Sequence, residues 1–111
     1  MKRLIEVANV LIQNCSSEIL LLQRSPRLAH PYLWGLTGGI IEDETALRAG
    51  IRELWEETGI VESDLILVGI KRFLVETPSE DLKITNIHAK TSQRWLSVTL
   101  SPDEHVAYMW Q

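Results

Sequence analysis

The sequence predicts an α/β (α+β) fold, in which a mixed β-sheet carries at least one packed helix. Several apolar runs are short, and they alternate with polar residues or are rich in β-branched residues, as strands are. One longer segment, from Asp43 to Thr58, contains no proline and has apolar residues at helical spacing. With 111 residues, the chain fits one domain, residues 1–111, that is large enough to bury a core.

Seven apolar runs are interpreted as strands, in the order RLIEVANVLIQ, ILLLQRS, a short run at Trp34–Leu36, DLILVGIKRFLVE, ITNIHAK, QRWLSVTL and HVAYMW. The turn-like NCSSE between the first two predicts a β-hairpin. ITNIHAK and QRWLSVTL are either separate strands or one long bent strand. The sequence ends at Gln111, directly after the last run, so the C-terminal helix that would normally cover such a sheet is expected to be missing.

Composition and charge narrow the classes of partner. The net charge of −4 comes without a basic run, which argues against long nucleic acids and anionic membrane surfaces as partners. A small anionic substrate remains compatible, because a bound cation can reverse the local field. The single cysteine, Cys15, allows no internal disulfide, and no apolar span approaches the ~20 residues of a membrane helix. We therefore expect a cytoplasmic chain. The oligomeric state is open, with a homodimer among the alternatives.

The expected helix has recognisable ends. Asp43 is the expected N-cap, Glu44 falls in the first turn, where negative charge is favoured, and Gly59 is expected just past the C-terminus. The face expected to pack on the sheet comprises Leu47, Gly50, Ile51, Leu54 and Trp55. Trp34 and Trp55 are accordingly assigned to the core.

Three acidic residues lie at the C-terminal end of this helix, where negative charges destabilise a helix most. Glu53, Glu56 and Glu57 occur at positions i, i+3 and i+4, which places them on the face opposite the apolar one. Like charges at this spacing cost about 0.2–0.5 kcal/mol per pair, and the negative end of the helix dipole adds a similar cost. Arg52 can pair with Glu56 at i+4, or make a tertiary contact with Glu53 or with Glu44, but it cannot neutralise all three acids. A solvated acidic face is one interpretation, and a missing cation is the other.

Clustered carboxylate oxygens, without histidine or cysteine, favour a hard cation such as Mg²⁺ or Mn²⁺. Mg²⁺ held by few carboxylates keeps waters and takes phosphate oxygens as its remaining ligands. A spare glutamate could then deprotonate a water for in-line attack on phosphorus. The residues therefore predict metal-assisted hydrolysis of a phosphoanhydride or phosphoester.

The same stretch resembles the signature of the Nudix hydrolases, G-x5-E-x7-R-E-U-x-E-E-x-G-U, in which U is aliphatic. Every fixed position is filled, in the order Gly38, Glu44, Arg52, Glu53, Leu54, Glu56, Glu57, Gly59 and Ile60. LLLQRS and LWGLTGG before it also resemble the family. The resemblance implies an α/β/α sandwich with a mixed sheet and a loop–helix–loop catalytic motif. It also implies divalent-metal-dependent hydrolysis of a nucleoside diphosphate linked to another moiety.

The resemblance implies a metal-binding role for four residues of the motif. Glu53, Glu56 and Glu57 match the family's metal-binding glutamates, and any of them, Glu53 first, could double as the general base. Gly38 matches the glycine whose backbone carbonyl completes the metal shell. The loop is one residue shorter than the commoner form, so that the carbonyl could instead come from Gly39.

The other implied roles are supporting ones. Arg52 and Glu44 match the pair that orients the catalytic glutamates. Arg24, Gly39 and Glu104 are the candidate substrate-binding residues, with Glu104 as a carboxylate recruited from a late loop. The three histidines of the chain are interpreted as structural or exposed: His30, His88 and His105.

The function expected from these features is that of a nucleotide pyrophosphohydrolase. A MutT-like enzyme that acts on nucleoside triphosphates, with Mg²⁺ or Mn²⁺ as cofactor, is favoured, and a small nucleotide is the expected partner. Dinucleoside polyphosphates, ADP-ribose and nucleotide sugars are further candidate substrates. Two alternatives belong to other classes: a catalytically silent nucleotide-binding sensor of the same fold, and a structural domain with an acidic helix.

Overall fold

Two β-sheets and one α-helix make up the computed structural model, which describes residues 2–111. The elements are β1 (Arg3–Gln13), β2 (Leu20–Arg24), β3 (Trp34–Gly35), β4 (Thr37–Ile40), α1 (Ala46–Thr58), a short 3-10 helix (Glu62–Asp64), β5 (Ile66–Glu76), β6 (Glu80–Lys90) and β7 (His105–Trp110). In the described part of the chain no helix has the length and apolar character needed to span a bilayer.

The larger sheet is mixed, as the sequence predicts. Its strand order is β4-β1-β6-β5, and β1 runs parallel to β6 but antiparallel to β4. The smaller sheet has the order β3-β2-β7 and is antiparallel. The α+β class with a mixed sheet is therefore confirmed.

The predicted hairpin between the first two strands is wrong. A single bridge, between Gln13 and Ile19, joins β1 to the start of β2. Both edges of β1 are occupied by β4 and β6, so no edge is left for β2, which pairs with β3 and β7 instead.

The segment QRWLSVTL is not a strand, either alone or as a continuation of β6. It is irregular, and its backbone bonds to the end of the helix, where the N–H of Thr99 donates to the carbonyl of Thr58 at 2.8 Å. Leu96 is nevertheless buried in the core. The apolar pattern that predicted a strand therefore reflects the burial of side chains in this segment and not pairing with another strand.

The helix begins two residues later than predicted. Its N-cap is Thr45, whose hydroxyl accepts a hydrogen bond from the N–H of Arg48 at 3.2 Å. Asp43 has a positive φ of 49°, and Glu44 precedes the helix and so does not lie in its first turn. The C-terminal prediction is confirmed, because Gly59 has φ 74° and its N–H donates to the carbonyl of Trp55 at 2.9 Å.

The helix packs on β1, β4 and β6. Its approach is close at Gly50, where an added Cβ would lie 2.7 Å from Cδ1 of Ile87. The buried apolar core comprises Val10, Ile12, Leu20, Leu22, Leu54, Ile60, Ile87 and Leu96. Assigning two tryptophans to this core was wrong, because Trp34 is 41% exposed and Trp55 is 60% exposed. The buried residues of the helix are Ala49, Gly50, Leu54, Glu57 and Thr58. The buried face is therefore rotated away from Trp55, and Glu57 lies on it, which corrects the prediction that all three glutamates lie on the opposite face.

Candidate functional site

A cleft of about 340 Å³ opens where the glycine-rich strand β4, the end of α1 and the smaller sheet meet. That volume lies within the range of small-molecule sites. Its polar lining includes four residues singled out from the sequence, Arg24, Gly38, Glu57 and Glu104, together with His105. Its apolar lining includes Leu28, Leu33 and Trp34. Residues from distant parts of the chain thus share one concave surface.

Glu57 is the buried carboxylate of this cleft, with 4% of its surface exposed. Its Oε1 accepts a hydrogen bond from the Thr37 hydroxyl and another, at 3.0 Å, from the N–H of Gly38. Burial nevertheless raises the pKa of Glu57 from 4.5 to about 7, and the nearby carboxylates of Glu53 and Glu104 add to the rise. Within residues 2–111, no basic side chain forms an ion pair with Glu57.

Arg52 holds the other acids of the motif together. Its guanidinium lies 2.8 Å from Oε1 of Glu44, 3.0 Å from Oε1 of Glu53 and 3.3 Å from Oε2 of Glu56. The hydrogen bond from Arg52 lowers the pKa of Glu44. The three pairings that the sequence left as alternatives therefore occur at once, and Glu57 is the acid outside this network.

Glu53 lies between this network and the glycine-rich strand. An added Cβ on Gly39 would be 2.6 Å from Cδ of Glu53, so a bare backbone is needed where the carboxylate rests. Burial raises the pKa of Glu53, and the charge of Arg52 opposes that rise. The side chain of Glu56, by contrast, is 47% exposed.

The turn before β7 brings Glu104 to the cleft. The N–H of Ser25 donates to the carbonyl of Glu104 at 2.8 Å, and the Ser25 hydroxyl donates to the carbonyl of Asp103 at 2.7 Å. Ser25 is buried, so the end of β2 anchors this turn. Arg24, the residue before it, lines the cleft while its Nε donates to the carbonyl of Ala29 at 2.7 Å.

His105 is the residue of this site that sequence reasoning missed. It pairs across the sheet with Arg24, and only 6% of its surface is exposed. Its Nδ1 is buried and has no hydrogen-bond partner among the described residues. Burial lowers the pKa of His105, against the opposing effect of Glu104. The available signal was its position directly after the turn acid Glu104, at the start of an apolar strand.

One group of side chains has the spacing of metal ligands. Ligand atoms of Glu57, Glu104 and His105 all lie within 4.8 Å of one another. This donor set fits a divalent cation, because among the described residues the buried Glu57 has no basic partner and Nδ1 of His105 has no hydrogen-bond partner. Glu53 is close enough to this group to affect the pKa of Glu57.

Comparison with known proteins identifies the family to which this chain is similar. The family model described as NUDIX domain matches residues 3–110. The m7GpppN-mRNA hydrolase NUDT17 of Danio rerio is 34% identical over 117 aligned residues, which cover 91% of this chain and 39% of that protein. The chain thus spans about two fifths of the length of this relative.

Solved structures agree with that assignment. The MutT protein of Methanosarcina mazei Go1 is similar with a TM-score of 0.75 and 32% identity, over 98% of this chain and 77% of that one. A bifunctional NMN adenylyltransferase/ADP ribose pyrophosphatase of Francisella tularensis, solved with AMP and a manganese ion, is similar with a TM-score of 0.80 and 25% identity, over 99% of this chain and 34% of that one. The chain belongs to the Nudix family.

Proposed function

We propose that this chain is a divalent-metal-dependent hydrolase that cleaves the pyrophosphate linkage of nucleoside di- and triphosphate derivatives. The observation that carries the proposal is Glu57, a buried carboxylate in an open cleft with no basic partner among the described residues. A buried charge is costly unless it is paired or coordinates a metal. A divalent cation would supply the missing charge, and phosphate oxygens would complete its coordination.

Glu53, Glu56 and Glu57 are the proposed carboxylate ligands, and the backbone carbonyl of Gly38 is a further oxygen ligand. When bound, the ion would neutralise phosphate charge and lower the pKa of a nearby water. Arg52 keeps two of these carboxylates in place, and Glu44 in turn holds Arg52 at 2.8 Å. These two residues are therefore positioning residues in the proposed site.

Glu53 is the general base that we favour. Arg52 fixes its Oε1 at 3.0 Å, and no hydrogen bond to its Oε2 is found within residues 2–111. Oε2 is thus free to take a proton from water while the water oxygen attacks a phosphorus atom. The bridging P–O bond breaks, and the leaving phosphate departs with its bonding electrons. Arg24, which lines the cleft, would face the substrate phosphates.

The proposed substrate class is a small nucleotide. Hydrolysis of nucleoside triphosphates is favoured, in keeping with the similarity to a MutT protein. The similarity to an m7GpppN-mRNA hydrolase adds the triphosphate bridge of a capped 5′ end to the substrates worth testing. In either case the bond cleaved is a phosphoanhydride. We further propose a single domain over residues 1–111 and a cytoplasmic location.

A hydrolysis screen tests the proposal. The full chain is incubated with nucleoside triphosphates, dinucleoside polyphosphates, ADP-ribose, nucleotide sugars and m7GpppN, with Mg²⁺, with Mn²⁺ or with chelator, and the products are identified. We expect metal-dependent cleavage of at least one class. Glu57→Gln should remove nearly all turnover, whereas Glu76→Gln, an exposed acid on β5, should keep it.

Two results would support the alternatives. Nucleotide binding without metal-dependent cleavage of any compound would favour the sensor. Failure of Mg²⁺ and Mn²⁺ to raise the melting temperature would favour the structural domain, because a ligand that binds only the folded state must stabilise it.

A further inference from the structure

His105 combines burial with an unmet bonding capacity. It begins β7, and its backbone N–H donates to the carbonyl of Ser101 at 2.9 Å. The residue is 6% exposed, and its Nδ1 is buried with no hydrogen-bond partner in the described chain. A buried polar atom left without a partner destabilises the folded state. An ion bound by this nitrogen would explain why it has no partner among the described residues.

The neighbours of His105 identify the kind of ligand. A ring nitrogen of His105 and carboxylate oxygens of Glu57 and Glu104 lie within 4.8 Å of one another, and no hydrogen bond joins them. Two ligands that each stand about 2.1 Å from an ion are roughly 3–4 Å apart. A small side-chain adjustment would therefore gather the three atoms around one cation.

The backbone holds this arrangement in place. Ser25 anchors the turn that carries Glu104 through two hydrogen bonds, at 2.7 and 2.8 Å. Glu57 is fixed from the other side by Thr37 and Gly38. Ser25 therefore fixes the backbone that carries Glu104, while Thr37 and Gly38 fix the carboxylate of Glu57 itself.

We propose that His105 supplies a nitrogen ligand, beside oxygens of Glu57 and Glu104, to a divalent ion, so that the site prefers a first-row transition-metal ion to Mg²⁺. This inference rests on the metal dependence proposed above. Mg²⁺ prefers an all-oxygen shell, whereas imidazole nitrogen suits transition-metal ions. The histidine therefore changes the metal selectivity of a site that the sequence motif alone describes as all-carboxylate.

Pulsed EPR on the Mn²⁺-loaded full chain, prepared without a histidine tag, tests this directly. The chain has three histidines, so the double variant His30→Gln/His88→Gln leaves His105 as the only one. We expect a histidine ¹⁴N coupling to Mn²⁺ in the wild type and in this double variant. We expect the coupling to be absent in His105→Gln, with Mn²⁺ affinity reduced about tenfold or more and Mg²⁺ affinity reduced less.

The double variant keeps the test valid even if His105→Gln does not fold, because it leaves the buried residue intact. Mn²⁺ binding without a nitrogen coupling in the double variant would overturn the inference. If that same protein still hydrolyses nucleotides, the proposed function stands while the His105 ligand fails. A nitrogen coupling without hydrolysis of any compound would support His105 as a metal ligand and would reject the proposal that the chain is a hydrolase. Absence of any Mn²⁺ binding would reject both.

Discussion

Glu57→Gln is expected to stabilise the metal-free protein at pH 8, although it removes a residue of the proposed site. Glu57 as a residue is 4% exposed, and its charged form has no basic partner among residues 2–111. Glutamine has nearly the same shape, and its carbonyl oxygen can still accept the bonds from Thr37 and Gly38. The substitution therefore removes the buried charge and keeps the acceptor.

The pKa of Glu57 sets the size of this effect. It rises from 4.5 to about 7 on folding, and at 1.36 kcal/mol for each pH unit this amounts to about 3 kcal/mol. Because the folded state binds this proton more tightly, the contribution of Glu57 to the stability of the wild type is fully present below pH 4.5 and is lost as the pH rises through about 7. Glu57→Gln has no such group to titrate. At pH 8 its free energy of unfolding should therefore exceed that of the wild type by about 2–3 kcal/mol, which is roughly 10 °C in Tm.

Urea unfolding in chelator, measured from pH 4.5 to 8 for both proteins, checks this expectation. Glu76→Gln serves as the control for loss of one exposed negative charge and should change the unfolding free energy by no more than about 0.5 kcal/mol. Mg²⁺ or Mn²⁺ should raise the Tm of the wild type and of Glu76→Gln, but not that of Glu57→Gln. A variant less stable than the wild type at pH 8, or parallel pH profiles, would refute the buried-charge argument.

Three further substitutions test neighbouring contacts. Gly39→Ala should fold normally but weaken Mn²⁺ binding about tenfold, measured by titration calorimetry, because its Cβ displaces the Glu53 carboxylate; unchanged affinity would count against that contact. Thr37→Val should lower the unfolding free energy by about 1–3 kcal/mol at pH 8 and by less at pH 5, because its hydroxyl bonds the charged form of Glu57; equal losses at both pH values would contradict this. Gly50→Ala should lower the free energy of unfolding, measured in urea, by about 1 kcal/mol, because overpacking against β6 exceeds the gain in helix propensity. A stabilised variant would contradict this and show that the helix can move away from the sheet.

Local sequence patterns predicted the structure well where a feature depends only on residues that are close together in the sequence. The helix ends at Gly59 as expected, and Arg52 pairs with the three carboxylates named for it. The β1–β2 hairpin failed, because strand pairing depends on which edges remain free after other strands have paired. The core positions of Trp34 and Trp55 failed for a similar reason, since burial depends on what packs against each face.

By itself, the sequence determined the family motif, the position of its acids on one helix and the expectation of a hard cation. Those features depend on residue spacing along one continuous stretch, and helical geometry converts spacing into proximity. Only the tertiary structure decided that Glu57 would be the buried acid without a basic partner, and that Glu104 and His105 would reach it. Those residues come from the far end of the chain, and the pairing of β7 with β2 carries them to the cleft. Such long-range pairing leaves no periodic signal in the sequence, so the nitrogen ligand becomes visible only in the folded chain.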